Sequence, residues 1–101
     1  MEIIIDDLYE EIGAEFQYQV IQLLNTHLKK HSLDKTQRKT ICGDFIFDLS
    51  MLIDKGTIES EDANYQLKIG FEKEQKVWMP EDSFEYHEYA FGNNDELFEN
   101  E

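Results

Sequence analysis

Apolar residues recur three and four apart through the first half of this chain, and every second residue through parts of the second half. From Ile5, the series Leu8, Ile12, Phe16, Val20 and Leu23 keeps helical spacing, and Ile21, Leu24 and Leu28 widen the stripe. The spacing predicts a helix over 7–30. Asp7 with Glu10 has the form of a capping box, and Lys29, Lys30 and His31 stand where a helix dipole favours cations. Gly13 weakens the run by ~1 kcal/mol relative to alanine. Residues 2–5, with their consecutive isoleucines, suit either a first helical turn or a short strand.

A second helix is expected over 35–55. Asp34 with Gln37 repeats the capping-box form, and Gly56 stands where a left-handed cap is expected. Ile41, Cys42, Phe45, Ile46, Leu49, Leu52 and Ile53 form one contiguous face, the best core candidate in the chain. The loop between the helices is short, which favours an antiparallel pair.

After Gly56 the period changes. Tyr65, Leu67, Ile69 and Phe71 alternate with polar residues or glycine, the pattern of a half-buried strand over 65–71. A turn around 72–75, without Asn-Gly or Asp-Gly, leads into a strand over 76–79 that Pro80 ends. Alternation returns over 83–91, giving a third strand, and Gly92-Asn93-Asn94-Asp95 reads as a turn before a frayed end or a short helix. The expected fold is α+β: an N-terminal antiparallel helical pair packed on a small antiparallel sheet, in a single domain spanning 1–101.

Charge changes this picture most. The chain has 23 acidic and 9 basic residues, a net charge of −14. Residues 1–16 carry six acids and no base, and from Val77 to Glu101 there are eight acids and no Lys or Arg. Five of the nine bases (Lys29, Lys30, Lys35, Arg38 and Lys39) cluster about the turn between the helices. Such a field repels nucleic acid and anionic lipid and attracts basic proteins or cations. At 41% hydrophobic and 13% aromatic, the chain folds despite its charge. The lone Cys42 allows no internal disulfide, and no apolar run approaches a membrane span. With no signal-peptide pattern at the first residues, the expected location is the cytoplasm.

Catalytic signatures are absent. His27 and His31 stand four apart, as in many metal sites, but without the glutamate and third ligand that give such a pair specificity. Asp44, Asp48 and Asp54 read as a solvated face, and Cys42, on the apolar stripe, as a buried thiol. The expectation is a non-enzymatic protein with no cofactor and no bound metal.

Two surfaces are candidates for a partner. Glu81, Asp82, Glu85 and Glu88, with Tyr86 and Tyr89, combine carboxylates that speed encounter with aromatic rings that supply contact energy. Phe47 and Met51 lie off the main stripe of the second helix, and a homodimer through them is an alternative. The expected function is an acidic protein-binding module that neutralises or regulates a basic protein partner, binding neither nucleic acid nor membrane. In general character the chain resembles immunity proteins and other small protein inhibitors, a likeness of class carried by no motif. Competing with this function are a metal- or small-ligand-binding protein built on His27 and His31, and a homo-oligomeric structural subunit.

Overall fold

Three helices and two small sheets make up the computed structural model, which describes residues 1–101. The elements are β1 (Glu2–Ile4), α1 (Leu8–Lys30), α2 (Lys35–Lys55), β2 (Ile58–Glu59), β3 (Asn64–Tyr65), β4 (Phe71–Lys73), β5 (Lys76–Trp78) and α3 (His87–Glu99). The class is α+β, with α1 and α2 packed antiparallel. No helix is long and apolar enough to cross a membrane.

The isoleucine run begins as a strand. β1 pairs in parallel with β5, and β5 pairs antiparallel with β4, so the three-stranded sheet is mixed in the order β1-β5-β4. The turn from β4 to β5 holds Glu74 and Gln75 at φ 52° and 67°. Two left-handed residues in a row make a turn that favours Gly or Asn at both positions, and here neither is Gly or Asn.

α1 runs unbroken through Gly13. A methyl group there would stand 3.2 Å from the Tyr86 hydroxyl and 3.3 Å from Phe84, so the glycine seats two aromatic rings against the helix. The expected capping box at Asp7 does not form. Asp7 is itself helical, and Asp6 accepts the Leu8 N–H at 3.0 Å instead. At α2 the box is complete: Asp34 accepts from the Gln37 N–H at 2.8 Å, and Gln37 Oε1 from the Asp34 N–H at 3.0 Å. Gly56 closes α2 in an extended conformation (φ −80°, ψ 166°), not the left-handed one expected.

The strand expected over 83–91 is not one. Phe84 to Tyr86 form a loop, and α3 carries the chain through the Gly-Asn-Asn-Asp tetrad that reads as a turn. Tyr86, Ala90, Asn94, Leu97 and Phe98 are buried at helical spacing, which the alternation of Phe84, Tyr86 and Glu88 masks. The strand over 65–71 is also interrupted. Tyr65 pairs with Ile58 in a separate two-stranded ribbon, residues 66–70 have no regular structure, and Phe71 opens β4. Leu67, Ile69 and Phe71 are nevertheless half-buried, so their alternation reports burial without a ladder.

α3 lies against both α1 and α2. One apolar cluster joins Ile21, Cys42, Ile46, Ala90, Leu97 and Phe98; a second joins Tyr9, Ile53 and Tyr86 to the sheet through Phe71 and Trp78. Leu49 touches both. The contact between helices is strongly polar. Gln17 donates to Ser50 Oγ (3.0 Å) and the Tyr86 carbonyl (2.8 Å), and accepts from Asn93 (2.7 Å). Arg38 donates to Asn25 (2.8 Å) and the Leu33 carbonyl (3.1 Å), and pairs with Glu101 at 2.5 Å. These bonds satisfy side chains whose burial unpaired costs ~1–3 kcal/mol each. Conversely Ile41, Phe45 and Leu52, expected in the core, are exposed, as are Ile5, Leu8 and Leu23 of the α1 stripe.

The strained hairpin yields a direct test. Replacing Glu74 by Asn and Gln75 by Gly should stabilise the chain by about 1–2 kcal/mol, the cost of left-handed backbone at non-glycine residues. Denaturant unfolding reads the change, and no gain would mean that the turn is not a two-residue left-handed one.

Candidate functional site

The two acidic ends of the sequence meet in space. Asp6, Asp7, Tyr9 and Glu10, at the start of α1, face Glu81, Ser83, Phe84, Glu85, Glu88 and Tyr89, from the loop before α3 and its first turn. Together they enclose a pocket of about 230 Å³. Six of its lining residues are carboxylates, and Tyr9, Phe84 and Tyr89 are its aromatic part.

A single carboxylate from another helix places the loop and α3. Tyr86 at the start of α3 offers no side-chain cap; Asp54, near the end of α2, does so instead. Its Oδ1 accepts the Tyr86 N–H and its Oδ2 the His87 N–H, both at 2.8 Å. His87 Nδ1 adds a third bond to Oδ2 at 2.8 Å and lies 3.2 Å from Glu85 Oε2. With carboxylates on both sides, Nδ1 is the protonated nitrogen. The Asp54 side chain is only 3% exposed, so the positive end of the helix and these donors together hold a buried anion.

Below the pocket, Tyr86 and Tyr9 share a hydroxyl–hydroxyl bond of 2.7 Å, and Tyr9 donates to the Ile69 carbonyl at 2.7 Å. Burial, above all, pushes the pKa of both phenols up and so disfavours their ionisation, and the nearby charge of Asp54 adds to it. At the pocket wall Phe84 and Tyr89 stack, with centroids 5.6 Å apart and planes 18° from parallel. Tyr89 donates its hydroxyl to Glu10, tying the start of α3 to the start of α1.

The carboxylates differ in their partners. Glu85 is drawn back by Lys55 (3.5 Å) and His87, Glu10 holds Tyr89, and Asp6 holds the Leu8 amide. Asp7, Glu81 and Glu88 pair with no base. Like charges this close repel one another, and an opposite charge placed among them would relieve that repulsion.

Of the residues expected at a partner surface, Glu81, Glu85, Glu88 and Tyr89 converge here. Asp82 is exposed next to the pocket without lining it. Tyr86 is buried beneath it and offers no surface, because the segment is a helix start, not an exposed strand. Phe47 stacks on Phe91 at 5.4 Å and packs edge-on to His87, so α3 covers the face proposed for it, and Met51 one turn later is half-buried. His27 and His31 gather no third ligand. The one close group of ligand atoms is Asp54, Glu85 and His87, where Asp54 is already committed to the α3 amides. Sequence reasoning missed Asp6, Asp7, Tyr9 and Glu10. Their only signal was six acids without a base in the first sixteen residues.

Comparison of the chain with protein-family models, with curated proteins and with solved structures found no match.

The Tyr89 phenol is pushed up to about 12 from an ordinary 10.0, first by its bond to Glu10, then by burial and by the charges of Glu10 and Glu88. Its neutral form is favoured in the folded state, so its contribution to stability is full below pH ~10 and lost as pH rises through ~12. Glu10→Ala should return the ionisation towards 10 and start alkaline unfolding at lower pH. Spectrophotometric titration, taken as the difference from Tyr89→Phe, measures it; an unmoved midpoint would clear Glu10 as the cause.

Proposed function

We propose that the chain binds a basic protein by taking a lysine or arginine side chain of that partner into the acidic pocket, and thereby neutralises or regulates it. The observation that carries this reading is a pocket lined by six carboxylates and three aromatic rings, with Glu85 alone among the carboxylates paired to a base. At about 230 Å³ it is smaller than the roughly 300–1,000 Å³ usual for cofactors and small-molecule ligands, and suits a single side chain. The stacked Phe84 and Tyr89 give a guanidinium aromatic surface to lie against, while the carboxylates accept its N–H groups. The long-range field of a chain with net charge −14 draws basic partners and repels nucleic acid and anionic membranes. In this reading the protein is a non-enzymatic binding module, and the rim residue Asp82 contributes to the rate of encounter.

Nuclear magnetic resonance titration with a short arginine-rich peptide should move the amides of Glu81, Ser83, Glu88 and Tyr89 first. Affinity should fall steeply with salt, because exposed charges are screened. Glu81→Lys with Glu88→Lys should act mainly on association, and Tyr89→Ala on dissociation with a loss of about 1–2 kcal/mol. The same charge-reversed variant should fail to retain the basic protein that wild type captures from its native cell. Peptide shifts spread evenly over the surface, or capture indifferent to the reversal, would count against the pocket.

A further inference from the structure

We propose that the face of α1 and α2 turned away from α3 joins two copies of this chain in an antiparallel dimer. It goes beyond the acidic pocket, which lies on the side of α1 that meets α3. On α2, Gly43, Phe47 and Asp54 meet α3. At ~100° per residue, Ile41, Phe45 and Leu52 point to the opposite flank. They are 39%, 44% and 39% exposed, and Leu23 on α1 is 63% exposed. On α1 the buried residues are Tyr9, Gly13, Gln17, Ile21 and Asn25. One edge of each apolar stripe enters the core through Ile21, Cys42, Ile46 and Ile53, while the other edge, at Leu23, Ile41, Phe45 and Leu52, stays exposed. An exposed apolar edge of that kind marks a surface that a partner covers.

Shape agrees. The chain exposes 6925 Å², against about 6,000 Å² for a folded monomer of its mass. The molecule is a slab, 43 × 34 × 23 Å, with a radius of gyration of 15.3 Å against about 13 Å for a compact chain of this length.

Charge selects the occupant. Phe16, Leu23 and Lys30 are seven residues apart and share one line along α1. The line starts beside Glu11 and Glu15, which flank the groove between α1 and Phe71, and ends in the basic turn. Lys30 and Lys35 pair with no acid in their own chain. A two-fold axis at Leu23 lays Leu23 on its own copy and sets Lys30 of one chain over Phe16 of the other, beside Glu15, twice. A face that is apolar in the middle, acidic at one end and basic at the other is complementary to itself in that antiparallel arrangement. Any other acidic or basic partner would satisfy only one end.

Sedimentation velocity of the full chain at micromolar concentrations should give twice the 12.0 kDa of one chain, with dimer persisting at high salt. A monomer throughout would overturn the proposal, leaving a foreign protein as the occupant of the face. Leu23→Asp, at an exposed position, should be monomeric with an unchanged circular dichroism spectrum; a dimeric Leu23→Asp would place any interface elsewhere. Lys30→Glu should weaken the dimer at least about tenfold and Glu15→Lys in the same chain restore it, as for complementary charges at an interface. Failure of the swap to restore would refute the antiparallel register. Peptide binding at the acidic pocket is scored separately, since none of these residues lines it.

Discussion

The buried carboxylate of Asp54 is the constraint on which the second half of the molecule depends. α3 has thirteen residues, a glycine, two adjacent asparagines and several acids, and its own N-terminal residue supplies no cap. Left to local propensity, such a segment is a poor helix. Asp54 changes the balance by accepting both opening amides and the His87 ring, and by setting a negative charge against the positive end of the helix. The helix then drops Ala90, Leu97 and Phe98 into the core formed by α1 and α2. The same clamp fixes the loop carrying Glu81, Ser83 and Phe84, so the pocket follows from the cap.

What could be read in the sequence divides along physical lines. α1 and α2 were legible because long periodic stripes and the Asp34–Gln37 box are local signals. α3 was not, because its cap comes from a residue more than thirty positions away and its buried side chains include asparagines that resemble a turn. The faces of the helices were legible only by half. Periodicity marks where apolar residues lie, but α3 docks on one edge of each stripe, where Ile21, Cys42 and Ile46 adjoin the polar Gln17, Asn25 and Arg38. That choice depends on tertiary hydrogen bonds. Likewise the C-terminal acids of the pocket stood out in the sequence, while their meeting with Asp6, Asp7 and Glu10 required the fold.

The two proposed surfaces use different physics and sit on different sides of the helical layer. The pocket is electrostatic and aromatic, small in area, and suited to fast, salt-sensitive encounter. The proposed outer face has apolar side chains in its middle and opposed charge at its ends, and would suit lasting association between copies. The basic residues gathered at the turn between α1 and α2 lie at one end of the second and do not line the first, which keeps the two separable by mutation.

The central claim, that Asp54 builds α3 and with it the pocket, is tested most directly by amide hydrogen exchange on Asp54→Ala. Protection should collapse across His87–Glu99 while the middle of α1 and α2 keeps its slow exchange, because the capping-box hairpin does not need the clamp. Unchanged protection in α3 would contradict it, and the pocket would then owe its shape to packing alone.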